Sequence, residues 1–484
     1  MRIFNIAAGK KIGIKPLVNV GMLMDIPTGN IIRGRKGEFI INGGLGQFDG
    51  IAGPPNNFKS RIARHMLLKA ADRMSYSYPS PLHIYDTEDS LLNNIEGFIK
   101  EIESTHNFDI NALEDGRISI LTKSDMPADQ WVKEYFTKLA DEKEKSKEAD
   151  VEYTAFKESV TSDKPLKYKI PNFILIDSLT KFEASNTIEE IDKGNLDNKT
   201  LEMHKGLIKS KFVDSVPRIA NKAGFYVMIT AHMAKEITIP TGPGMNMPTK
   251  HMQYLKQGEK FKGVTADSLY LTTHFWLASM SKKLVNPNTK EPEFPDKKDD
   301  VETDLHIVPL MLVRSKSGHS GITIELVVSQ REGVLDDLTN FYYIKTHGGF
   351  GIEGNPRSYW ITLYPDVKLQ RTTVRGKLKE DKKLARAVEI LADMLQLYTF
   401  KPDMRDFYFG DLLSEGIGKV PQKLMEKVKE KSIDWDKVLE TRNWWTIDNY
   451  NKDLPPYLSV VDLLQWVNGK YTPYWLKEEK KDKK

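Results

Sequence analysis

Three stretches of the chain are apolar almost without interruption, and each ends on polar residues. They are Leu82-His83-Ile84-Tyr85-Asp86-Thr87-Glu88, Pro171-Asn172-Phe173-Ile174-Leu175-Ile176-Asp177-Ser178 and Phe225-Tyr226-Val227-Met228-Ile229-Thr230-Ala231-His232. Runs of this length, without polar alternation, predict strands buried on both faces, as in a parallel sheet. A shorter run, Gln47 to Ala52, predicts another strand, and Arg61 to Met74 predicts a helix soon after it. Near the other end, Leu384, Val388, Leu391 and Leu395 recur at helical spacing and would line one face of an amphipathic helix. Short apolar segments follow, at Phe407-Tyr408-Phe409, Leu412-Leu413 and Leu424-Met425, together with Trp435, Trp444, Trp445, Trp466 and Trp475. The pattern predicts an α/β core with a mostly parallel central sheet, plus a small, mainly helical C-terminal domain.

The segment between the Gln47–Ala52 strand and the Arg61–Met74 helix carries the chemistry. Gly53-Pro54-Pro55-Asn56-Asn57-Phe58-Lys59-Ser60 is nearly a phosphate-binding loop, with Phe58 where the second glycine of the usual pattern stands. A strand–loop–helix junction points backbone N–H groups and the positive end of the helix dipole at an anion. Lys59 would reach the outer phosphates, and the Ser60 hydroxyl would ligate magnesium. The strands ending in Glu88, Asp177 and His232 would bring those side chains to the same loop, as an open α/β nucleotide site requires.

With these residues in this order the sequence resembles the RecA family, and within it the UvsX-like recombinases of bacteriophages, which also carry Phe before the Lys-Ser pair. The resemblance spans roughly Asp25 to Leu363 and implies a RecA-like P-loop ATPase core. It implies that Asp177 is the Walker B acid holding Mg2+ together with Ser60. Glu88 would be the glutamate that activates the attacking water. His232 would sense the γ-phosphate and pass the signal to a DNA-binding loop. Arg314 and Lys316 would reach the ATP of the neighbouring subunit. Their spacing of two puts both on one face of a strand, which is also what the solvent face of an ordinary edge strand looks like.

Composition narrows the picture without choosing a function. The chain has 484 residues, 40% hydrophobic and 29% charged, with a net charge of +4 and no cysteine. Disulfides, thiolate catalysis and Cys-ligated zinc are excluded, and a reducing, cytoplasmic setting is expected, that of the host cell if the chain is phage-encoded. No apolar run approaches membrane-spanning length. A charge of +4 is too small to imply nucleic-acid binding, so a DNA site has to come from a local patch. The segment around Glu183 to Thr200 is acidic and unsuited to that role. Lys235 to Gly263 is better suited. It is punctuated by glycine, and it offers Lys250, Lys256, Lys260 and Lys262 for phosphate contacts, with Met245, Met247 and Tyr254 placed to wedge or stack on bases.

The expected organisation is an arm over 1–24, an ATPase core over 25–376 and a C-terminal domain over 377–484 with a basic tail. Within the arm, Phe4-Asn5-Ile6-Ala7 matches a Phe-x-x-Ala protomer contact or a plain strand. Insertions are expected near 131–169, as solvated helices, and near 281–304, as a polar excursion. The resemblance implies a DNA-dependent ATPase using ATP and Mg2+. It would form a homo-oligomeric filament on single-stranded DNA and pair it with a homologous duplex. The alternative is a RecA-fold hexameric helicase, or another DNA-dependent motor working as a closed ring, since a fold does not settle a function.

Overall fold

The structure, a computed structural model, describes residues 14–482 apart from 149, 152–153, 160, 184, 186–198, 236–249, 251–252, 263–268, 298–299, 403–404 and 406–418. Phe4–Ala7, Met245, Met247 and Phe407–Leu413 lie outside the described residues.

A hairpin of β1 (Asn30–Arg33) and β2 (Phe39–Asn42) precedes the main sheet. The sheet is built from β3 (Phe48–Gly53), β4 (Leu82–Asp86), β5 (Ile118–Thr122), β6 (Asn172–Asp177), β7 (Phe225–Lys235), β8 (Glu259–Phe261), β9 (His274–Ala278), β10 (Lys282–Lys283), β11 (Leu305–Ser315), β12 (Thr323–Ser329) and β13 (Gly333–Val334). Its order is β13-β12-β11-β9-β3-β7-β6-β4-β5, with β8 added to β7 and β10 to β11. The pairings from β9 across to β5 are all parallel, and those among β9, β11, β12 and β13 are antiparallel. The chain is therefore α/β with a mostly parallel central sheet. Every residue of β3, β4 and β6 is buried, as expected of parallel strands covered on both faces.

Parallel pairing fixes where the strands end. Asp177 is level with Asp86, and His232 is level with Gly53. The polar residues that close the apolar runs thus share one edge of the sheet.

Helix α1 (Lys59–Met74) leaves the loop after β3 and is buried along most of its length, although it carries many charges. Beyond Lys59, the basic groups on its inner faces meet acids from other elements. Arg61 Nε lies 2.7 Å and Arg64 Nε 3.5 Å from Glu101 on α2 (Ile95–Glu103). His65 and Lys69 flank Asp336, at 3.0 and 2.8 Å, where α4 (Asp336–Thr346) begins, α3 being the long helix Lys199–Ala223. Arg73 reaches Asp25 at 3.9 Å. Burial works against ionisation of Asp336, yet Lys69 and His65 hold its carboxyl well below the ordinary range.

The stretch from Trp131, which reads as a solvated insertion, is anchored instead. Trp131 and Phe136 are buried, and the Trp131 ring stacks on Tyr85 at 4.7 Å. The polar excursion after Ser281 is likewise tied down, by β10 and by buried Leu284 and Phe294.

The segment following Lys377 opens with α5 (Lys382–Phe400), whose first turn is capped by Asp381 accepting from Lys383 N and Leu384 N at 3.0 Å. Its Leu384, Val388, Leu391 and Leu395 are all buried. This segment grips the start of the chain. Gln396 donates to Leu23 O at 2.7 Å, Trp445 Nε1 to Leu17 O at 2.9 Å, and Asp462 accepts from Phe39 N at 2.8 Å. Thr446 Oγ1 donates to Arg73 O, on the last turn of α1, at 2.7 Å. Among the described residues no helix is long and apolar enough to cross a membrane.

Glu101 is the common partner of two buried guanidinium groups. Glu101→Ala is therefore expected to cost about 3–5 kcal/mol, the usual penalty for stranding a buried charge. Urea unfolding monitored by far-UV circular dichroism would measure it. A loss below about 1 kcal/mol would mean that the pair is screened by water and not buried as described.

Candidate functional site

The loop between β3 and α1 turns into the helix through a left-handed residue at Phe58, even though the expected glycine is replaced. Phe58, immediately before the first residue of α1, has φ +57° and ψ +5°, the left-handed conformation that glycine adopts without cost. A side chain there costs on the order of 1 kcal/mol. The Phe58 ring lies 5.2 Å from the ring of His306 on β11, a contact that offsets part of that cost. Asn57 ties the crest of the loop to the residues after β9. Its amide donates to Ser279 O, and its carbonyl oxygen accepts from Ser281 N at 2.8 Å. Gly53 is needed for space, because a Cβ there would stand 2.8 Å from Ala278 O.

Lys59 is buried and has no hydrogen bond or ion pair with any described residue. Burial lowers its pKa, against the attraction of Asp177 and Glu88. Such an ammonium is largely covered by protein yet has no side-chain partner, so an anion arriving at the helix N-terminus would find an unengaged cation there. Asp177 accepts from Ser60 Oγ at 3.0 Å and from Thr230 Oγ1 at 2.5 Å, both on Oδ1. Ser60 and Asp177 are thus adjacent and fit a small divalent cation. Among the described residues no group of three or more His, Asp or Glu stands where it could hold a metal ion. A cation here would take its other ligands from phosphate oxygens and water, as magnesium commonly does.

Glu88 stands just beyond β4. Its Oε1 accepts from Ser178 Oγ at 2.7 Å and lies 3.0 Å from His232 Nε2, which must carry the proton for that bond. Burial opposes ionisation of Glu88, but Ser178, His232 and Lys59 outweigh it and hold the carboxyl below its ordinary pKa. The neighbouring Asp86 has a different fate. Both its oxygens accept backbone N–H groups, from Glu88 at 3.0 Å and Leu91 at 2.6 Å, so it shapes the turn that presents Glu88. Thr87 fixes the other side of that turn, bonding Ser178 N and Ser178 O at 2.7 Å each.

His232 connects this cluster to the lysine-bearing segment. Its backbone oxygen accepts from Lys262 N at 2.8 Å, and β8 runs antiparallel to the end of β7, pairing Ala234 with Lys260 and Lys235 with Glu259. Lys250, Lys256, Lys260 and Lys262 are exposed. Tyr254, expected to stack on bases, is docked within the chain: its hydroxyl donates to Ser320 O at 3.2 Å, and its ring packs against Gly321.

Arg314 and Lys316 are not at this edge. β11 runs antiparallel to β9, and Arg314 is level with Phe275, hence with Gly50. Lys316 N bonds Thr273 O, one residue before β9 begins. The two cations lie roughly 10–17 Å from Gly53 along the strand direction, at the opposite edge of the sheet.

Sequence reasoning assigns no role to Ser178, Thr230, Thr87 or His306, and it places Asn57 in the loop without its ties to Ser279 and Ser281. Thr230 was within reach, since it sits two residues before His232 on the same strand and so shares its face. Ser178 follows Asp177 directly. His306 lies far away in sequence, and no local pattern marks it.

No protein-family model matches the chain, and no curated protein matches it. Among solved structures, a KaiC-like protein from the hyperthermophilic archaeon Pyrococcus horikoshii is 11% identical, with a TM-score of 0.31, covering 63% of this chain and 98% of its own. The RadB recombinase is 12% identical, with a TM-score of 0.32, covering 61% of this chain and 93% of its own.

Proposed function

We propose that this chain is a RecA-type, DNA-dependent ATPase that coats single-stranded DNA and promotes homologous pairing and strand exchange. The observation that carries the reading is the convergence at one sheet edge of the Gly53–Ser60 cradle, the Ser60–Asp177 pair and a glutamate aimed by Ser178 and His232. In this reading the loop N–H groups and Lys59 bind the β- and γ-phosphates of ATP. Ser60 and Asp177 hold Mg2+, which supplies neutralisation of the charge developing on the transferring phosphoryl group. Glu88, ionised, accepts a proton from the attacking water. His232 donates to that same carboxylate, and its strand continues into the lysine hairpin through Lys262. Nucleotide state and DNA contact would therefore share one strand. The remote Arg314–Lys316 pair favours an assembly in which a neighbouring chain supplies the cations, as in a filament.

Hydrolysis by the full chain tests the site. Lys59→Ala should abolish turnover. Glu88→Gln should slow it by about two orders of magnitude or more, in line with loss of a general base, while ATP still binds by equilibrium dialysis. A Glu88→Gln enzyme running at the parental rate would move the base elsewhere.

The DNA reading has its own test. Neutralising Lys250, Lys256, Lys260 and Lys262 together should weaken single-strand binding across sequences. It should also flatten the salt dependence, because binding would release up to about four fewer counterions. Fluorescence anisotropy between low and moderate salt would measure this. An unchanged salt slope would place the DNA path on another surface.

A further inference from the structure

Arg314 and Lys316 are adjacent like charges with no carboxylate partner among the described residues. Both instead bond neutral backbone oxygens of a single turn. Arg314 Nη2 donates to Tyr270 O at 3.2 Å, and Lys316 Nζ donates to Leu271 O at 2.7 Å. The Arg314 guanidinium also lies over the Tyr270 ring, 4.9 Å from its centre, while its Nε is buried without a partner. Burial, then repulsion by Arg314 and Lys15, lowers the pKa of Lys316, against the pull of Asp49. The turn is itself fixed: Thr272 donates to Leu269 O through both its N–H, at 3.1 Å, and its hydroxyl, at 2.6 Å. Tyr270 is half exposed, so its ring and the guanidinium over it stand at the surface.

We infer that Tyr270 is a positioning residue for the Arg314–Lys316 pair, and that the Leu269–Thr272 turn sets how far the two cations project from the sheet edge. The physical argument is one of preorganisation. Two cations that repel each other must be held together before an anion arrives, and a guanidinium on an aromatic face is held without being neutralised. A carboxylate partner would hold them too, but it would cancel the charge that a phosphate needs. Carbonyl oxygens and a π face aim the pair without bringing in a counter-charge. The same turn begins only seven positions beyond Lys262 in the chain, so the element that aims the cations follows closely on the lysine-bearing segment. This inference rests on the proposed trans role of Arg314 and Lys316.

The test is steady-state ATP hydrolysis by the full chain with saturating single-stranded DNA, in four variants. Tyr270→Ala should lower kcat about two- to fivefold, the worth of an exposed cation–π contact, with KM for ATP and the thermal midpoint unchanged. Tyr270→Phe, which keeps the ring, should restore the parental kcat. Arg314→Ala should lose DNA-stimulated turnover, and adding Tyr270→Ala to it should change nothing further. A parental rate for Tyr270→Ala overturns the inference. So does Tyr270→Phe as slow as Tyr270→Ala, or an equal loss on the Arg314→Ala background. A parental rate for Arg314→Ala itself overturns the trans role and the inference with it, which separates the two failures.

Discussion

A helix that starts at the Gly53–Ser60 loop and then runs through the protein interior constrains everything around it. Helix α1 exposes little of itself, yet it carries Arg61, Arg64, His65 and Arg73 into buried surroundings, with Lys69 half-buried beside them. Unpaired, each such charge would cost several kcal/mol. The chain meets this with three acids from three separate segments: Glu101, Asp336 and Asp25. Those partners fix the positions of α2, α4 and the N-terminal segment relative to the loop. The C-terminal segment adds a further clamp through Thr446 on the last turn of α1. The loop therefore stands on a helix that cannot shift without breaking buried ion pairs on several sides.

That rigidity gives a physical reason for tolerating Phe58. A left-handed backbone at a non-glycine residue persists only where its surroundings over-determine it. Here the loop is held at Asn57 by the chain beyond β9 and at Phe58 by His306 on β11, and it runs on directly into α1 at Lys59. The first two supports come from outside the loop, which explains how the motif keeps its shape without its glycine.

Much of this was legible in the sequence, because it depends on local pattern. Long apolar runs ending in acids marked β4 and β6, and the Gly53–Ser60 spacing marked the strand–loop–helix junction. The four apolar positions from Leu384 to Leu395 marked the inner face of α5. What stayed hidden depends on contacts between distant segments. The stretch around Trp131 looked solvated because its Glu and Lys outnumber its aromatics, but two large rings in it suffice to anchor it against Tyr85. Tyr254 looked free because nothing near it in sequence shows the turn at Ser320 that receives it. The groups that orient the site's acids, Ser178 and Thr230 above all, are small hydroxyl residues whose meaning comes only from the carboxylates they face.

The geometry also sets a limit on what one chain can do. Lys59, Ser60, Asp177, Glu88 and His232 gather at one edge of the sheet, while Arg314 and Lys316 stand at the other. In the proposed function, those two cations can serve a phosphoryl group only across a boundary between chains. The most direct measurement mixes two inactive proteins, Lys59→Ala and the double variant Arg314→Ala with Lys316→Ala, on single-stranded DNA, and follows ATP hydrolysis. Mixed assemblies contain some boundaries where an intact cradle faces intact cations, so the mixture should regain a fraction of the parental rate. A mixture as inactive as either protein alone, with mixed assembly confirmed by crosslinking, would contradict the account.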